Sequence, residues 1–149
     1  MTSLLVLYHS QEYGNTGAMA EAIGEGARAA GAEVTLVNTN EQRLDIEDYR
    51  HFDAVAFGSP DYYSYIAGGL KTFLDDWYIA QKSNSQGLKN KPYGLFLSHG
   101  GGGRARGPLE ELFGRMGTKV GETVASRGRP NDAMLEACRE LGQQLAGAA

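Results

Sequence analysis

The segment between residues 9 and 16 carries side chains suited to holding a phosphate group. Ser10 and Thr16 offer hydroxyl groups, Asn15 offers an amide, and Gly14 gives the backbone freedom to turn. A helical pattern begins at Asn15, so the unpaired N–H groups and the positive dipole end of that helix face this segment. Such a helix start binds anions without lysine or arginine. The alternative interpretation is an ordinary capped turn, with Ser10 or Asn15 as the N-cap.

Three tyrosines follow the third apolar segment of the chain. Tyr62, Tyr63 and Tyr65 come directly after Pro60 and Asp61. A buried tyrosine needs a hydrogen-bond partner for its hydroxyl group, so this cluster is poorly suited to the core. We predict that the tyrosines offer stacking surfaces to a flat aromatic ligand. The alternative is a surface turn whose tyrosines pack on neighbouring loops.

Four consecutive glycines, Gly100–Gly103, follow the fourth apolar segment and come after Ser98 and His99. Glycines leave the backbone accessible to a ligand that lies against it, at a cost in conformational entropy. An anion site, an aromatic platform and a glycine-rich wall together predict a pocket for a phosphorylated planar cofactor. The alternatives are a mobile loop and, for His99, a solvated or capping residue.

Two common nucleotide-binding motifs do not account for these loops. The segment at residues 9–16 lacks the lysine of G-x-x-x-x-G-K-[ST] and the glycine spacing of G-x-G-x-x-G. Gly100, Gly102 and Ala105 match G-x-G-x-x-A formally. No acidic residue follows about 20 positions later in a matching βαβ unit, so we treat that match as chance.

The strands and helices between these loops determine where the loops lie. Five short apolar segments alternate with helical patterns along the chain. Apolar strands without polar alternation are typical of a parallel sheet that is covered by helices on both faces. The chain has no internal repeat or linker, and 149 residues suit one domain. The predicted strands are 4–8, 34–37, 54–58, 93–97 and 120–125, and the predicted helices are 15–31, 67–81, 108–116 and 131–146, with a short turn at 45–49.

We therefore predict an α/β fold over residues 1–149, with three layers and a doubly wound, five-stranded parallel sheet. Right-handed crossovers and short connections favour this arrangement. Ligands of such sheets bind beyond the carboxyl ends of the strands. The three loops leave those ends, so we expect them to converge.

Composition excludes several function classes. The formal net charge of −4 argues against a nucleic-acid protein, which needs a basic face. No stretch approaches the roughly 20 apolar residues of a membrane span, and no basic n-region precedes the first apolar segment. The single cysteine, Cys138, shares a helical face with apolar residues and allows no disulfide framework. We expect a cytoplasmic protein without a membrane span.

The loops described above resemble those of a known family. Residues 7–16, Leu-Tyr-His-Ser-Gln-Glu-Tyr-Gly-Asn-Thr, are similar to the phosphate loop of flavodoxins and related flavoproteins. Residues 57–63, Phe-Gly-Ser-Pro-Asp-Tyr-Tyr, followed by residues 70–75, resemble their second flavin loop and its helix. The resemblance runs over nearly the whole chain and implies the strand order 2-1-3-4-5.

The resemblance implies that the cofactor is FMN. The chain departs from the family pattern at one position. Many electron-transfer flavodoxins have a glycine beside the flavin N5 atom, and this chain has no glycine between Asp61 and Ile66. The resemblance implies three sets of cofactor-binding residues: Ser10, Gln11, Tyr13, Gly14, Asn15 and Thr16 at the phosphate, with Glu12 in the same loop; Pro60, Asp61, Tyr62, Tyr63, Ser64 and Tyr65 beside the isoalloxazine; and Ser98, His99, Gly100, Gly101, Gly102 and Gly103 on its pyrimidine side.

Three functions compete for this sequence. An electron carrier working between a reductase and an acceptor protein is favoured by the short length, and we expect a monomer or weak dimer. An NAD(P)H-dependent FMN oxidoreductase that reduces quinones is the alternative, because the second and third loops resemble the quinone-reductase branch. A phospho-receiver is set aside, because His9 and Ser59 stand where clustered aspartates would be required.

Overall fold

A computed structural model describes all residues from 1 to 149. Six strands and five helices follow one another, and no helix has the length and apolar character needed to cross a membrane. The elements are β1 (Ser3–Tyr8), α1 (Asn15–Ala29), β2 (Glu33–Asn38), α2 (Ile46–Tyr49), β3 (Ala54–Pro60), α3 (Gly68–Ser83), β4 (Lys91–His99), α4 (Arg106–Phe113), β5 (Gly117–Lys119), β6 (Val124–Arg127) and α5 (Asp132–Ala148).

All strand pairs in the sheet are parallel, and the order β2-β1-β3-β4-β5 confirms the predicted α/β class and strand order. The central strands β1, β3 and β4 are almost entirely buried, as continuous apolar runs predict. Their carboxyl ends, at Tyr8, Pro60 and His99, therefore reach the same edge of the sheet. That edge is where the three predicted loops begin.

The prediction of one fifth strand at residues 120–125 is wrong. Two shorter strands occupy this position: β5 pairs with the start of β4, whereas β6 pairs with its end. Gly121 lies between them with φ of +67°, a conformation that glycine adopts easily. Side chains in both short strands are mostly half-exposed, so the apolar signal that marks the central strands is weak here.

The core forms on both faces of the sheet. One cluster packs β1, β3 and β4 against α3 and α4, and it includes Phe57, Phe73 and Phe113. The other packs the same strands against α1 and α5. Gly26 and Gly142 let these two helices approach closely, because a Cβ atom on either glycine would overlap the backbone of the opposite helix. The close packing holds the start of α1 firmly at the carboxyl edge of the sheet.

Candidate functional site

A cavity of about 310 Å³ opens at the carboxyl edge of the sheet. The connections after β1, β3, β4 and β6 all reach it, so a ligand there would contact four loops that the sheet holds in place. Its lining residues are Ser10, Gln11, Glu12, Tyr13, Gly14, Asn15, Thr16, Pro60, Asp61, Tyr62, Ser98, His99, Gly100 and Gly128.

The first loop ends at an open helix start. Gly14 is the N-cap of α1 with φ of +74°, and it has no side chain to accept a bond from the first-turn N–H groups. Ser10 Oγ accepts a bond from Gly17 N at 3.0 Å, which leaves the N–H groups of Asn15 and Thr16 as the first-turn donors without a partner. The first turn contains no acidic side chain. The dipole end at Asn15 and Thr16 is therefore available to an anionic ligand.

Two side chains hold this loop in shape, Asn38 at the end of β2 and His9 directly after β1. The Asn38 side chain accepts a bond from Ser10 N and donates one to Ser10 O, both at 3.0 Å. His9 is buried, with Nδ1 2.9 Å from Thr39 Oγ1 and Nε2 3.0 Å from Gln11 Oε1. Both ring nitrogens of His9 are thus occupied within the protein, so His9 positions the loop.

The first and third loops are joined by two buried hydroxyl groups. Thr16 Oγ1 lies 2.7 Å from Ser98 Oγ, although the residues are 82 positions apart in the chain. Both side chains are at most 5% exposed. A hydrogen bond that is shielded from water in this way restrains both loops, because neither hydroxyl can exchange its partner for solvent.

The second loop is a two-residue hairpin. Tyr62 and Tyr65 exchange both backbone hydrogen bonds, at 3.0 and 3.1 Å. The two residues between them, Tyr63 and Ser64, have φ of +57° and +63°. Positive φ at both central positions is the pattern of a type I′ turn, which favours Asn and Gly rather than Tyr and Ser. The turn leaves the Tyr63 side chain fully exposed to solvent.

The carboxylate of Asp61 connects the second loop with the third. Its Oδ1 accepts a bond from Ser64 N at 2.8 Å, and its Oδ2 accepts one from Ala105 N at 3.1 Å. Asp61 N in turn donates to Ser98 O at 2.9 Å. Asp61 therefore supports the strained hairpin from within and fixes its position relative to the start of α4.

The wall on the β4 side combines His99 with two glycines. The Nδ1 atom of His99 is buried and has no hydrogen-bond partner within the protein. His99 O accepts a bond from Gly128 N at 2.7 Å, which brings the connection after β6 beside the glycine loop. A buried polar atom without a partner is costly. Ser98, Gly100 and Gly128 line the same wall, so it offers hydroxyl and backbone groups to a ligand.

Glu12 places one negative charge beside the aromatic side of the cavity. A hydrogen bond from Tyr13 to the Glu12 carboxylate raises the pKa of the Tyr13 phenol. Burial raises the pKa of Tyr62, and the charge of Glu12 adds to that shift. Both phenols are therefore neutral at physiological pH. Tyr62 also meets His9 edge-on, with the ring centroids 5.9 Å apart.

The predicted site residues line the main cavity or an adjoining hollow, with the exception of Tyr65. The first loop, Pro60, Asp61, Tyr62, Ser98, His99 and Gly100 meet around the main cavity. A second, more open hollow of about 450 Å³ adjoins it, and Asp61 and Gly100 border both. Tyr65 lines neither space. The predicted residues that line only the second hollow are Tyr63, Ser64, Gly101, Gly102 and Gly103.

Gly128 is the lining residue that the sequence analysis did not include. The predicted fifth strand ends at residue 125, two residues short of the end of β6, so the prediction does not bring Gly128 to the carboxyl edge. The strand that reaches the carboxyl edge is β6, and it ends at Arg127. Applying the rule of ligand binding at strand ends to β6 identifies Gly128 immediately.

The sequence matches the family described as flavodoxin over residues 6–142. The chain belongs to the flavodoxin family. Flavodoxins are flavoproteins that transfer electrons to partner proteins. Among solved structures, a flavodoxin from the domain Archaea superposes with a TM-score of 0.84 at 26% identity, covering 99% of this chain and 98% of that one.

Larger proteins also contain segments similar to this flavodoxin. A coenzyme F420H(2) oxidase of Methanothermobacter thermautotrophicus is 32% identical over 147 residues, which cover 95% of this chain and 35% of the oxidase. An NAD(P)H dehydrogenase (quinone) of Azorhizobium caulinodans is 37% identical over 93 residues, covering 50% of this chain and 46% of the dehydrogenase. The chain spans less than half the length of these curated relatives.

The residues around the cavity fit a phosphorylated flavin. The open start of α1 lies beside Ser10 and Thr16, a neutral donor set of the kind that holds a phosphate at a helix start. Tyr13 and Tyr62 supply aromatic surface in the same cavity. His99 and Ser98 bring polar groups, and Gly100 brings accessible backbone, to the wall that would face the polar pyrimidine edge of a flavin. One cavity thus offers all three features that the cofactor requires.

Proposed function

We propose that this chain binds FMN and carries electrons between a reductase and an acceptor protein, as one domain over residues 1–149. The observation that carries the proposal is the convergence of three loops on one cavity at the carboxyl edge of the sheet. An uncapped helix start at Asn15 provides the anion site in that cavity. We place the protein in the cytoplasm, as a monomer or weak dimer.

The phosphate site is assigned to the first loop. Backbone N–H groups at the start of α1 would donate to phosphate oxygens, because the N-cap Gly14 offers them no side-chain acceptor. The Ser10 hydroxyl, which accepts from Gly17 N, would donate its own proton, and the Thr16 hydroxyl would donate as well when Ser98 is the donor in the bond between them. Hydrogen bonds to a charged group contribute about 1.5–3 kcal/mol each, so this loop supplies much of the preference for FMN over riboflavin.

The ring of the flavin is assigned to the remaining walls. Tyr13 and Tyr62 would flank it, and Ser98, His99 and Gly100 would line its pyrimidine side. Tyr63, Ser64, Tyr65 and Gly101–Gly103 remain proposed contacts from the adjoining loops. The bound flavin supplies reversible uptake of one or two electrons. The protein's residues hold the cofactor, exclude water from its buried face and leave the rim accessible to a partner.

A second candidate is an NAD(P)H-dependent FMN oxidoreductase that reduces quinones. Two observations favour it: half of the chain is 37% identical to the quinone dehydrogenase named above, and a hollow of about 450 Å³ adjoins the cavity. Hydride transfer requires the two rings to stack within roughly 3–3.5 Å, so a nicotinamide needs open space over one flavin face. The hollow beside Tyr63 and Arg104 is where that space would be found.

An anaerobic reduction experiment distinguishes the two candidates. FMN-loaded protein is mixed with NADH or NADPH alone, and separately with NADPH and a flavodoxin reductase, while the flavin absorbance is recorded. The carrier function predicts slow reduction by either nucleotide and rapid reduction through the reductase, with free FMN as the control. Turnover of many per second with NADH and benzoquinone would contradict the carrier function and establish the second candidate.

A further inference from the structure

Three exposed arginines without an acidic partner lie on the two loops that follow β4 and β6, beside the proposed flavin cavity. Arg104 ends the glycine loop, Arg127 ends β6, and Arg129 follows it. None of them forms an ion pair, whereas Arg106 is 3.6 Å from Glu110. Arg127 is the ladder partner of His99, and Gly128 N bonds to His99 O, so the two loops lie side by side. We name Arg104, Arg127 and Arg129 the arginine rim.

The arginine rim opposes the overall charge of the chain. The formal net charge is −4, yet residues 98–107 and 127–131 contain four arginines and no acidic residue. In the other two loops at this cavity, the acidic residues are Glu12 and Asp61. The Asp61 carboxylate is engaged by two backbone N–H groups. Asp132 begins α5 directly after the second of these segments, and Arg106 is paired with Glu110. The three unpaired arginines still outnumber Asp132, so the β4 and β6 side of the cavity mouth is positive on an acidic protein, and its field reaches an approaching molecule within about 10 Å at moderate salt.

An exposed aromatic side chain stands beside this rim. Tyr63 is held out into solvent by a turn in which two non-glycine residues have positive φ, and it borders the same hollow as Arg104. Non-glycine residues in the left-handed region cost roughly 1–2 kcal/mol each. Tyrosine and arginine are the residue types enriched in the energetic centres of protein interfaces.

From these observations we infer that the arginine rim and Tyr63 form the docking surface for an acidic redox protein. The inference rests on the proposed FMN-carrying function and names the chemistry of its partner. The partner's carboxylates would pair with the three guanidinium groups, and Tyr63 would be buried at the contact. Docking there brings the partner to the edge at which the flavin is proposed to bind, so electrons have a short path.

A protein fits this surface better than a nucleotide phosphate does. Sites for small molecules are concave and bury most of the ligand's surface. Arg127 and Arg129 are exposed and line neither the main cavity nor the adjoining hollow. Charges spread over two neighbouring loops are typical of electrostatic steering between proteins.

Charged electron acceptors test the local sign of the field. FMN-loaded protein is fully reduced and mixed in a stopped-flow instrument with ferricyanide, an anion, or hexaammineruthenium(III), a cation. Two acceptor ions, each gaining one electron, oxidise one two-electron-reduced flavin, and its proton passes to the buffer. We expect the ferricyanide rate to fall roughly tenfold as ionic strength rises, and the ruthenium rate not to fall. The opposite pattern would show that the net charge of −4 governs approach and would overturn the inference.

Charge-reversal variants locate the effect. The rim variant carries Arg104→Glu, Arg127→Glu and Arg129→Glu. The matched control carries Arg28→Glu, Lys89→Glu and Arg115→Glu, three exposed residues without an ion pair near the amino ends of the strands. Both variants change the net charge equally. We expect only the rim variant to lose the roughly tenfold ferricyanide advantage at low salt. Equal losses in both variants would overturn the inference.

Binding to a protein partner completes the test and does not depend on the cofactor. The ¹⁵N-labelled chain, with and without FMN, is titrated with an acidic plant-type ferredoxin, and amide shifts are followed. We expect the shifts to concentrate at residues 99–106, 127–131 and Tyr63, and to disappear in the rim variant. Shifts elsewhere would overturn the inference. A rim variant that binds NADPH more weakly but still gives the ferredoxin shifts would overturn it as well. Failure to bind flavin would contradict the proposed function, while these shifts still decide the docking surface.

Discussion

The hydroxyl group of Thr16 lies 2.7 Å from that of Ser98, and this buried contact joins the start of α1 to the end of β4. It links the proposed phosphate site with the proposed pyrimidine side of the cavity. A change at one hydroxyl should therefore affect ligand binding and stability together, because the other hydroxyl stays buried without a partner.

Replacing Thr16 with Val should weaken FMN binding by roughly 1–2 kcal/mol and lower the free energy of unfolding by about 1–3 kcal/mol, the usual range for a lost buried partner. Fluorescence titration and urea denaturation measure the two effects. Thr16→Ser, which retains the hydroxyl group, should restore most of both. Thr35→Val, at an exposed position in β2, is the control. Unchanged FMN affinity in Thr16→Val would remove Thr16 from the proposed site.

Asp61→Ala should destabilise the protein by about 2 kcal/mol, because the backbone N–H groups of Ser64 and Ala105 lose a charged acceptor. Amide hydrogen exchange at both residues should accelerate. Asp75→Ala is the control, because that carboxylate is exposed and pairs only with Lys71 on the same helix, an interaction worth about 0.5 kcal/mol or less. Equal effects of the two substitutions would show that Asp61 does not hold the loops together.

Tyr62 and Tyr63 should differ in their effect on the fluorescence of bound FMN. Tyr62 lines the main cavity, whereas Tyr63 is fully exposed on the turn. Tyr62→Leu should raise the fluorescence of bound FMN, because an electron-rich ring beside the isoalloxazine quenches it. Tyr63→Leu should leave it unchanged. Strong fluorescence of bound FMN in the unmodified protein would contradict stacking by any tyrosine.

The close packing of α1 on α5 should not tolerate a methyl group at Gly142. A Cβ atom there overlaps the Ile23 carbonyl oxygen, and the backbone cannot move away without separating the helices. Gly142→Ala should cost about 3 kcal/mol or more in unfolding free energy. Gly147→Ala lies in the same helix with open space around it, and it should stabilise the protein by about 0.5 kcal/mol. Urea denaturation of the two variants measures the difference.

The apolar runs in the sequence predicted the three central strands of the sheet. β1, β3 and β4 are continuous apolar segments because they are buried on both faces. The fifth sheet position was not predictable in the same way. Its two strands have three and four residues and are mostly half-exposed, so their apolar signal is weak. Because the predicted strand ended at residue 125 and β6 ends at Arg127, Gly128 was not predicted to line the cavity.

Contacts between distant residues account for the rest of what the sequence did not reveal. The bond between Asp61 and Ala105 spans 44 positions, and no local pattern predicts it. The turn at Tyr63 and Ser64 lacks the Asn or Gly that normally marks positive φ, so the outward position of Tyr63 was not predictable. The phosphate loop was predictable as a candidate, because a helix start attracts anions and the hydroxyl and amide side chains around it can bind a phosphate. The same residue types also cap helices, so an ordinary capped turn was the alternative.

Comparison of FMN with riboflavin tests the central claim most directly. The two ligands differ only in the phosphate group, and the proposal assigns that group to the uncapped start of α1 beside Ser10 and Thr16. Fluorescence titration of the cofactor-free protein should give sub-micromolar affinity for FMN. Two or more charge-assisted hydrogen bonds imply at least about 100-fold weaker binding of riboflavin. Equal affinity for the two ligands would contradict the assignment, because the phosphate site would then contribute nothing.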